Sequence, residues 1–234
     1  MNPQKITPLC PSTSDDVHQH RSHLAANDKK KGLISICLLA LMLAVTGCAG
    51  TSVKPETIHQ LTSVSVSHSV ELSPEVSYHG PEQSLGAALG GILGALIAQG
   101  ATSSPDQIKT YLAEQHIDVG EIVRQAFVEG LQHDSRFANK IKESAENHFE
   151  LEVPLYGLAQ NGGFSSEYKA WLGFRARLID PSGNVIWEKY DFVTHFNDAV
   201  PAAKYAAYFE SPEQFRIGFK AAAAEITKML LQKM

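Results

Sequence analysis

Cysteine is scarce in this sequence and is confined to its beginning. The 234 residues contain three cysteines, Cys10, Cys37 and Cys48, so the chain beyond residue 48 cannot form an internal disulfide. Basic residues are not in excess either, because 20 lysines and arginines stand against 25 aspartates and glutamates, for a formal net charge of -5. No stripe of basic residues among aromatics occurs. These absences exclude a disulfide-stapled scaffold and a protein that binds nucleic acid.

Catalytic motifs are missing as well. No G-x-S-x-G sequence occurs, and no glycine loop of the Walker or Rossmann type is present. We therefore expect a protein that is not an enzyme, with a hydrolase as the residual alternative, and that binds no cofactor and no metal. His133-Asp134 with Arg136 could form a site, but a polar helix end explains these residues better. The histidines after Cys48 lack the i,i+3 or i,i+4 spacing of metal ligands: His59, His68, His79, His116, His133, His148 and His195.

The N-terminal region carries a secretion signal. Three lysines at positions 29–31 precede an apolar run from Gly32 to Val45. This run is shorter than the roughly 20 residues that span a bilayer, and it is typical of the hydrophobic part of a signal peptide. It leads into Val45-Thr46-Gly47-Cys48, which resembles the lipobox of bacterial lipoprotein precursors.

The resemblance to a lipobox implies a processed and lipidated protein. It implies cleavage between Gly47 and Cys48, with diacylglycerol and an acyl chain on Cys48 anchoring the protein to a membrane. Ala49, in place of aspartate, implies the outer membrane, with the domain facing the periplasm or, alternatively, the cell surface. Residues 1–28 precede this signal, and they are either a disordered extension or the product of a misassigned start codon.

Three regions follow from these patterns. Residues 1–47 form the N-terminal extension and signal peptide, residues 48–60 a lipidated tether, and residues 61–234 an α+β domain with a glycine-rich insertion at 82–101. Apolar periodicity predicts an antiparallel sheet with helices packed on one face, in a βαβββα-like arrangement. The predicted elements are strands at 64–72, 137–141, 149–155, 168–178 and 186–196, and helices at 107–115, 121–131 and from 212 to the C-terminus.

Individual residues sharpen these predictions. Asp118 and Glu121 have the spacing of a capping box at the start of a helix. Pro154 lacks a backbone N–H, which predicts that its strand lies at a sheet edge. Tyr190 and Phe192 share one face of the last strand and Trp187 lies on the other, so both faces of this strand are predicted to be partly covered.

The mature domain resembles a group of bacterial envelope lipoproteins. The segments that carry the resemblance are QAFVEGLQHDSRF, ENHFELEVPLYGL and YKAWLGFRARLIDPSGNVIWEKY. Similar patterns occur in the curli-secretion lipoprotein, in the lipoproteins that activate penicillin-binding proteins and in the N-terminal domain of the Tol-system β-propeller protein. The chain departs from them by an insertion from Ser73 to His116. The resemblance implies a non-enzymatic accessory or assembly factor of an envelope system, with an envelope protein as its partner.

A glycine-rich run forms the centre of that insertion. The residues LGAALGGILGALIA (Leu85–Ala98) include no polar side chain, and a helix would place Gly86, Gly90 and Gly94 along one stripe. Such a helix would be about 21 Å long, against a hydrocarbon thickness of roughly 30 Å, so a single span is not expected. Three interpretations remain: a buried element of the domain, a shallow lipid contact, or a glycine zipper. The glycine zipper, forming a homo-oligomer or inserting into a membrane, is the alternative function.

Overall fold

The computed structural model describes residues 55–81, 103–163 and 165–234. These residues form five helices and six strands. The helices are α1 (Pro55–Gln60), α2 (Ser104–Glu114), α3 (Val119–His133), α4 (Tyr205–Glu210) and α5 (Pro212–Gln232). The strands are β1 (Ser65–Leu72), β2 (Ser77–His79), β3 (His148–Gln160), β4 (Glu167–Ile179), β5 (Val185–Val193) and β6 (Ala202–Lys204).

The strands form one mixed sheet. Its order is β1-β3-β4-β5, with β2 beside β3 and β6 beside β4. Strands β1 and β2 run parallel to β3, whereas the pairs of β4 with β3, β5 and β6 are antiparallel. The predicted α+β class is confirmed, but the sheet is not wholly antiparallel. The chain passes through α2 and α3 between β1 and β3, and a crossover of this kind brings the two strands parallel.

Helices pack on one face of the sheet. Helix α3 contacts β1 and β3, α5 contacts β4 and β5, and the two helices contact each other. Asp118 caps α3 as predicted, because its Oδ1 accepts a hydrogen bond from the N–H of Glu121 at 2.9 Å. Beneath the helices, the ring of Phe149 meets those of Phe127 and Trp187 edge-on, at centroid distances of 5.2 and 6.2 Å. The core therefore lies between the sheet and these two helices.

The position predicted for Pro154 is wrong, because β3 has strands on both sides. Strand β1 ends its pairing with β3 at Val153, and β2 begins its pairing at Gly157. Pro154 lies in the gap between them, where the register of β3 against β4 also shifts. A missing N–H is tolerated there because no neighbouring strand needs it.

The short strand predicted at 137–141 is also absent. Residues 135–140 form turns, and only Ile141 makes an isolated parallel bridge, to Val64. Phe137 is fully buried, so its apolar character reflects packing against the core rather than strand pairing.

The last hairpin forms as predicted, but its two faces differ more than expected. Asp180 Oδ1 accepts hydrogen bonds from the N–H groups of Ser182 and Asn184, both at 2.8 Å, and closes the turn between β4 and β5. Trp187 is completely buried on the side of the helices, whereas Tyr190 and Phe192 lie on the other side and are exposed. Within residues 55–81, 103–163 and 165–234, no helix has the length and apolar character needed to cross a membrane.

Candidate functional site

The sheet face opposite the helices displays the most distinctive surface of the described residues. We call it the open face, and it is formed by the alternate residues of β3, β4 and β5 that point away from α3 and α5. One end is closed by the loop after β5, because Lys169 Nζ donates to the carbonyl of Asn197 at 3.0 Å. The residues of the open face are Glu150, Glu152, Leu155, Trp171, Gly173, Arg175, Arg177, Glu188, Tyr190 and Phe192.

Paired charges occupy one half of the open face. Glu152 Oε2 accepts from both Arg175 Nη1 and Arg177 Nη2 at 2.7 Å, across β3 and β4. On the other side of β4, Arg177 Nε donates to Glu188 Oε2 at 3.0 Å, and Arg175 Nε lies 3.7 Å from Glu188 Oε1. Two arginines and two glutamates therefore alternate across three strands. Each side chain keeps 24–36 % of its surface exposed, so each pair contributes no more than about 1 kcal/mol to stability.

Aromatic side chains occupy the other half. The rings of Tyr190 and Phe192 stack with centroids 6.1 Å apart. The ring of His79 lies 6.0 Å from Trp171, edge-on. Tyr190, Phe192 and Phe196 supply three of the six exposed large hydrophobic residues in the described chain, at 39, 45 and 75 % exposure. We call this group the aromatic patch, and it consists of His79, Trp171, Tyr190, Phe192, His195 and Phe196.

A glycine sets the shape of the aromatic patch. A Cβ atom at Gly173 would overlap the hydroxyl of Tyr190 and would lie 2.9 Å from Cβ of Phe192. A side chain at position 173 would therefore displace the ring of Tyr190 from its place beside β4. Partial burial raises the pKa of the Tyr190 hydroxyl, and the positive charge of Arg175 acts in the opposite direction. Tyr190 thus joins the aromatic patch to the paired charges.

The fold brings two histidines together that the sequence spacing did not connect. His79 is the last residue of β2, and His195 lies in the loop after β5. Their rings stack at a centroid distance of 6.2 Å. His195 also contacts Phe196, at 3.8 Å. In the part of the chain that the structure describes, no group of three or more histidine, cysteine, aspartate or glutamate residues is placed to hold a metal ion. The two histidines belong to the aromatic patch.

A second concave surface lies between α3 and α5. This groove has a volume of about 440 Å³ and contains the three residues that the sequence indicated as a polar helix end. Asp134 Oδ2 accepts from Arg136 Nη2 at 2.6 Å, which lowers the pKa of the Asp134 carboxyl. Arg136 also donates to the carbonyl of Leu231 at 2.7 Å, and His133 Nδ1 donates to that of Glu129 at 2.7 Å. The first and last of these bonds are local to the end of α3, and Arg136 ties that end to α5, so the interpretation as a helix end is the better one.

The site residues predicted from the sequence are not among the described residues. Gly47 and Cys48, as well as Gly86, Gly90 and Gly94, fall outside the described residues, as do the region 1–47, the beginning of the tether at 48–54 and the insertion at 82–101. Their roles stay predictions. The sequence predicts the open face only in part. The alternation in β5 places Tyr190 and Phe192 on one side of the strand, but it does not show that the helices pack on the opposite side.

Comparisons with known proteins give distant similarities. No protein-family model matches the chain, and no curated protein matches it. One similar solved structure is that of a "putative lipoprotein" from Caulobacter crescentus, with 16% identity and a TM-score of 0.35 over 49% of this chain and 80% of its own. Another is a Xanthomonas campestris protein of family DUF330, with 13% identity and a TM-score of 0.36 over 72% of this chain and 81% of its own. Similarities at this level carry no functional argument.

Proposed function

We propose that this protein is a bacterial lipoprotein, held at the outer membrane by lipid on Cys48, that serves an envelope system as a non-enzymatic accessory or assembly factor. The lysine cluster, the apolar run and the Val45–Cys48 ending support the lipid anchor. The open face is the observation that carries the accessory role. An exposed aromatic patch rimmed by polar groups is typical of interaction sites, and tryptophan, tyrosine and arginine are the residues enriched at interface hot spots.

The described ends of the glycine-rich insertion argue against a single crossing of the membrane by this segment. The hydroxyl of Tyr78 donates to the carbonyl of Pro81 at 2.6 Å, and that of Tyr205 to the carbonyl of Ser104 at 3.5 Å. The rings of Tyr78 and Tyr205 are themselves only 5.9 Å apart. The residues just before and just after the insertion therefore contact the same tyrosine cluster. The ends of an element that crosses a bilayer once lie roughly 30 Å apart.

The anchor can be tested by fractionation. Wild-type protein is compared with Cys48→Ala that carries a cleavable secretory signal in place of residues 1–47. We expect the wild type in the membrane fraction and the variant in the soluble periplasmic fraction. If the variant still sediments with membranes and resists an alkaline wash, the anchor lies in the chain itself, and the glycine-zipper function becomes the better one.

The open face can be tested by crosslinking in intact cells. A photoreactive residue at Phe192 is compared with one at Ile217, which is equally exposed (46 % against 45 %) but lies on α5. We expect a discrete crosslinked species from position 192, weaker when Arg175 is replaced by alanine, and none from position 217. The mass of the species distinguishes a second copy of this chain from another protein. Equal crosslinking at both positions, or none at 192, would refute the role of the open face.

A further inference from the structure

The groove between α3 and α5 has the size of a ligand site. Its volume of about 440 Å³ lies within the range of roughly 300–1,000 Å³ that is usual for small-molecule sites. A second cavity of about 250 Å³ adjoins it along the same two helices and shares three of its lining residues. The small and apolar residues that line the groove are Ala126, Gly130, Ala224, Thr227 and Leu231.

Small side chains keep this groove open. A Cβ atom at Gly130 would overlap Cγ2 of Thr227, so α3 and α5 approach each other closely at this point. Ala224, on the α5 side, is exposed and carries only a methyl group. A bulky side chain at position 224 would therefore fill part of the groove without replacing a core residue.

The charges that line the groove favour an anionic ligand. The charged side chains are Arg136, Lys220, Lys228, Glu129 and Asp134. The cations exceed the carboxylates by one, whereas the whole chain has a formal net charge of -5. The adjoining cavity adds one acidic and one basic side chain, so this excess is unchanged. Asp134 and Arg136 pair with each other, whereas Lys220 makes no hydrogen bond or ion pair with any described residue. The ammonium group of Lys220 is therefore available to a ligand.

The dimensions of the groove suit an alkyl chain. From Lys220 to Leu231, α5 rises about 16 Å. A fully extended chain advances about 3.3–3.6 Å for every three bonds, so this length accommodates an unbranched chain of roughly 14 carbons. Spread over this length, the volume gives a channel about 5–6 Å wide, whereas a helix with its side chains is about 10–12 Å across. The groove is therefore too narrow for a partner helix.

We propose that the groove binds a single-chain anionic amphiphile, a fatty acid of about 12–14 carbons. Its carboxylate would lie beside Lys220, and its chain would lie against the small residues toward Leu231. The aliphatic stems of Lys220 and Lys228 would flank the chain while their ammonium groups stay in water. This inference goes beyond the accessory role, and it depends neither on the open face nor on the identity of an envelope partner.

Calorimetric titration of the mature chain with Cys48→Ala tests the groove without the lipid proposed for Cys48. The probes are octanoate, decanoate, dodecanoate, tetradecanoate and hexadecanoate, each below its critical micelle concentration. We expect one saturable site whose affinity rises by up to about fourfold for each added methylene group. The rise should stop near about 14 carbons, at the length of the groove. No saturable binding, or an affinity that keeps rising to hexadecanoate, would overturn the proposal.

A chain of equal length with the opposite charge tests the part that Lys220 takes. We expect dodecanoate to bind about tenfold more tightly than dodecyltrimethylammonium, and Lys220→Glu to abolish this preference. Lys142→Glu, an equal change of charge at an exposed residue outside the groove, should leave both affinities unchanged. Equal binding of the two probes by the wild type would contradict an anion site.

Filling the groove tests its location. Ala224→Trp should weaken the binding of dodecanoate at least about tenfold, because the indole would occupy the space of the chain. Ile217→Trp, at an exposed position of α5 outside the lining, is the matched control and should bind as the wild type does. Unchanged urea midpoints verify that each variant is folded.

Two results with Ala224→Trp would count against the proposal. Normal binding of dodecanoate by this variant would place the site elsewhere. A mature chain that sediments as a dimer, binds no dodecanoate and dissociates on Ala224→Trp would make the groove an interface between two copies of the chain.

Discussion

Replacing Gly157 with alanine tests how β2 is held to β3. Gly157 lies opposite Ser77 and has φ +152°, a conformation that residues with a side chain rarely adopt. A Cβ at this position would overlap the carbonyl oxygen of Ser77. Because this oxygen belongs to the backbone, it cannot rotate away as a flexible side chain could. The whole of β2 would have to move.

Two costs add in this variant. The unfavourable φ costs about 1–3 kcal/mol. Displacing Ser77 opens the pairing of β2, whose backbone hydrogen bonds contribute about 0.5–1.5 kcal/mol each. We expect Gly157→Ala to lower the free energy of unfolding by about 3–5 kcal/mol, a large part of the roughly 5–15 kcal/mol that stabilises a typical domain.

Urea denaturation followed by the fluorescence of the two tryptophans measures this loss. Gly183 provides the matched control, because it has φ +82° but no atom within 4 Å of its Cβ position. Gly183→Ala should therefore cost only about 1–2 kcal/mol, from φ alone. Gly163, which has neither feature, should tolerate alanine within about 0.5 kcal/mol. If Gly157→Ala lost no more stability than Gly183→Ala, the pairing of β2 with β3 at Ser77 would be wrong.

Three further substitutions concern polar groups that are buried or half-buried. The buried hydroxyl of Tyr111 has no hydrogen-bond partner in the described residues, so Tyr111→Phe should leave the free energy of unfolding unchanged or raise it by up to about 1 kcal/mol. Tyr208→Phe should lower it by about 1 kcal/mol, because this hydroxyl donates to the carbonyl of Tyr168 at 3.1 Å; equal effects in urea denaturation would contradict both. The ion pair with Arg136 lowers the pKa of Asp134 in the folded state, so its stabilisation is complete above the unfolded pKa and is lost as the pH falls through the folded pKa. Asp134→Asn should therefore cost about 1–2 kcal/mol at pH 7, and denaturation curves for variant and wild type should converge in acid; a difference that does not change with pH would contradict this cause.

Local signals allowed some elements to be predicted and left others out of reach. The start of α3 depends on Asp118 and its immediate neighbours, and the hairpin turn depends on residues 180–184, so both could be predicted. The edge position predicted from Pro154 is wrong because a missing N–H requires only a local gap beside the strand. The gap exists because β1 ends and β2 begins on the same side of β3. The residues around Pro154 do not indicate this arrangement. The alternation of apolar and polar residues in β1 likewise does not show whether the strand runs parallel or antiparallel to β3.

The candidate site likewise could be predicted only in part. Alternation along β5 separated Trp187 from Tyr190 and Phe192, but only the position of the helices decides which side becomes core. The contact between His79 and His195 joins distant parts of the chain, so no spacing rule could indicate it. The prediction of lipid on Cys48 and those for Gly86, Gly90 and Gly94 concern residues outside the described ranges and stay predictions.

The parallel pairing of β1 with β3 has a consequence for the order in which the domain assembles. Strands β3, β4 and β5 are joined by short connections, whereas β1 must wait for a crossover that contains α2 and α3. Contacts between residues far apart in the chain close long loops and form slowly. β1 and β2 precede this crossover, so we expect them to join the sheet after β3, β4 and β5, and β1 is the strand nearest in sequence to Cys48. If Cys48 carries lipid as proposed, the newly exported chain would first fold at a distance from the membrane and then draw in its own tether, and a pull on the anchor would release the strands in the reverse order.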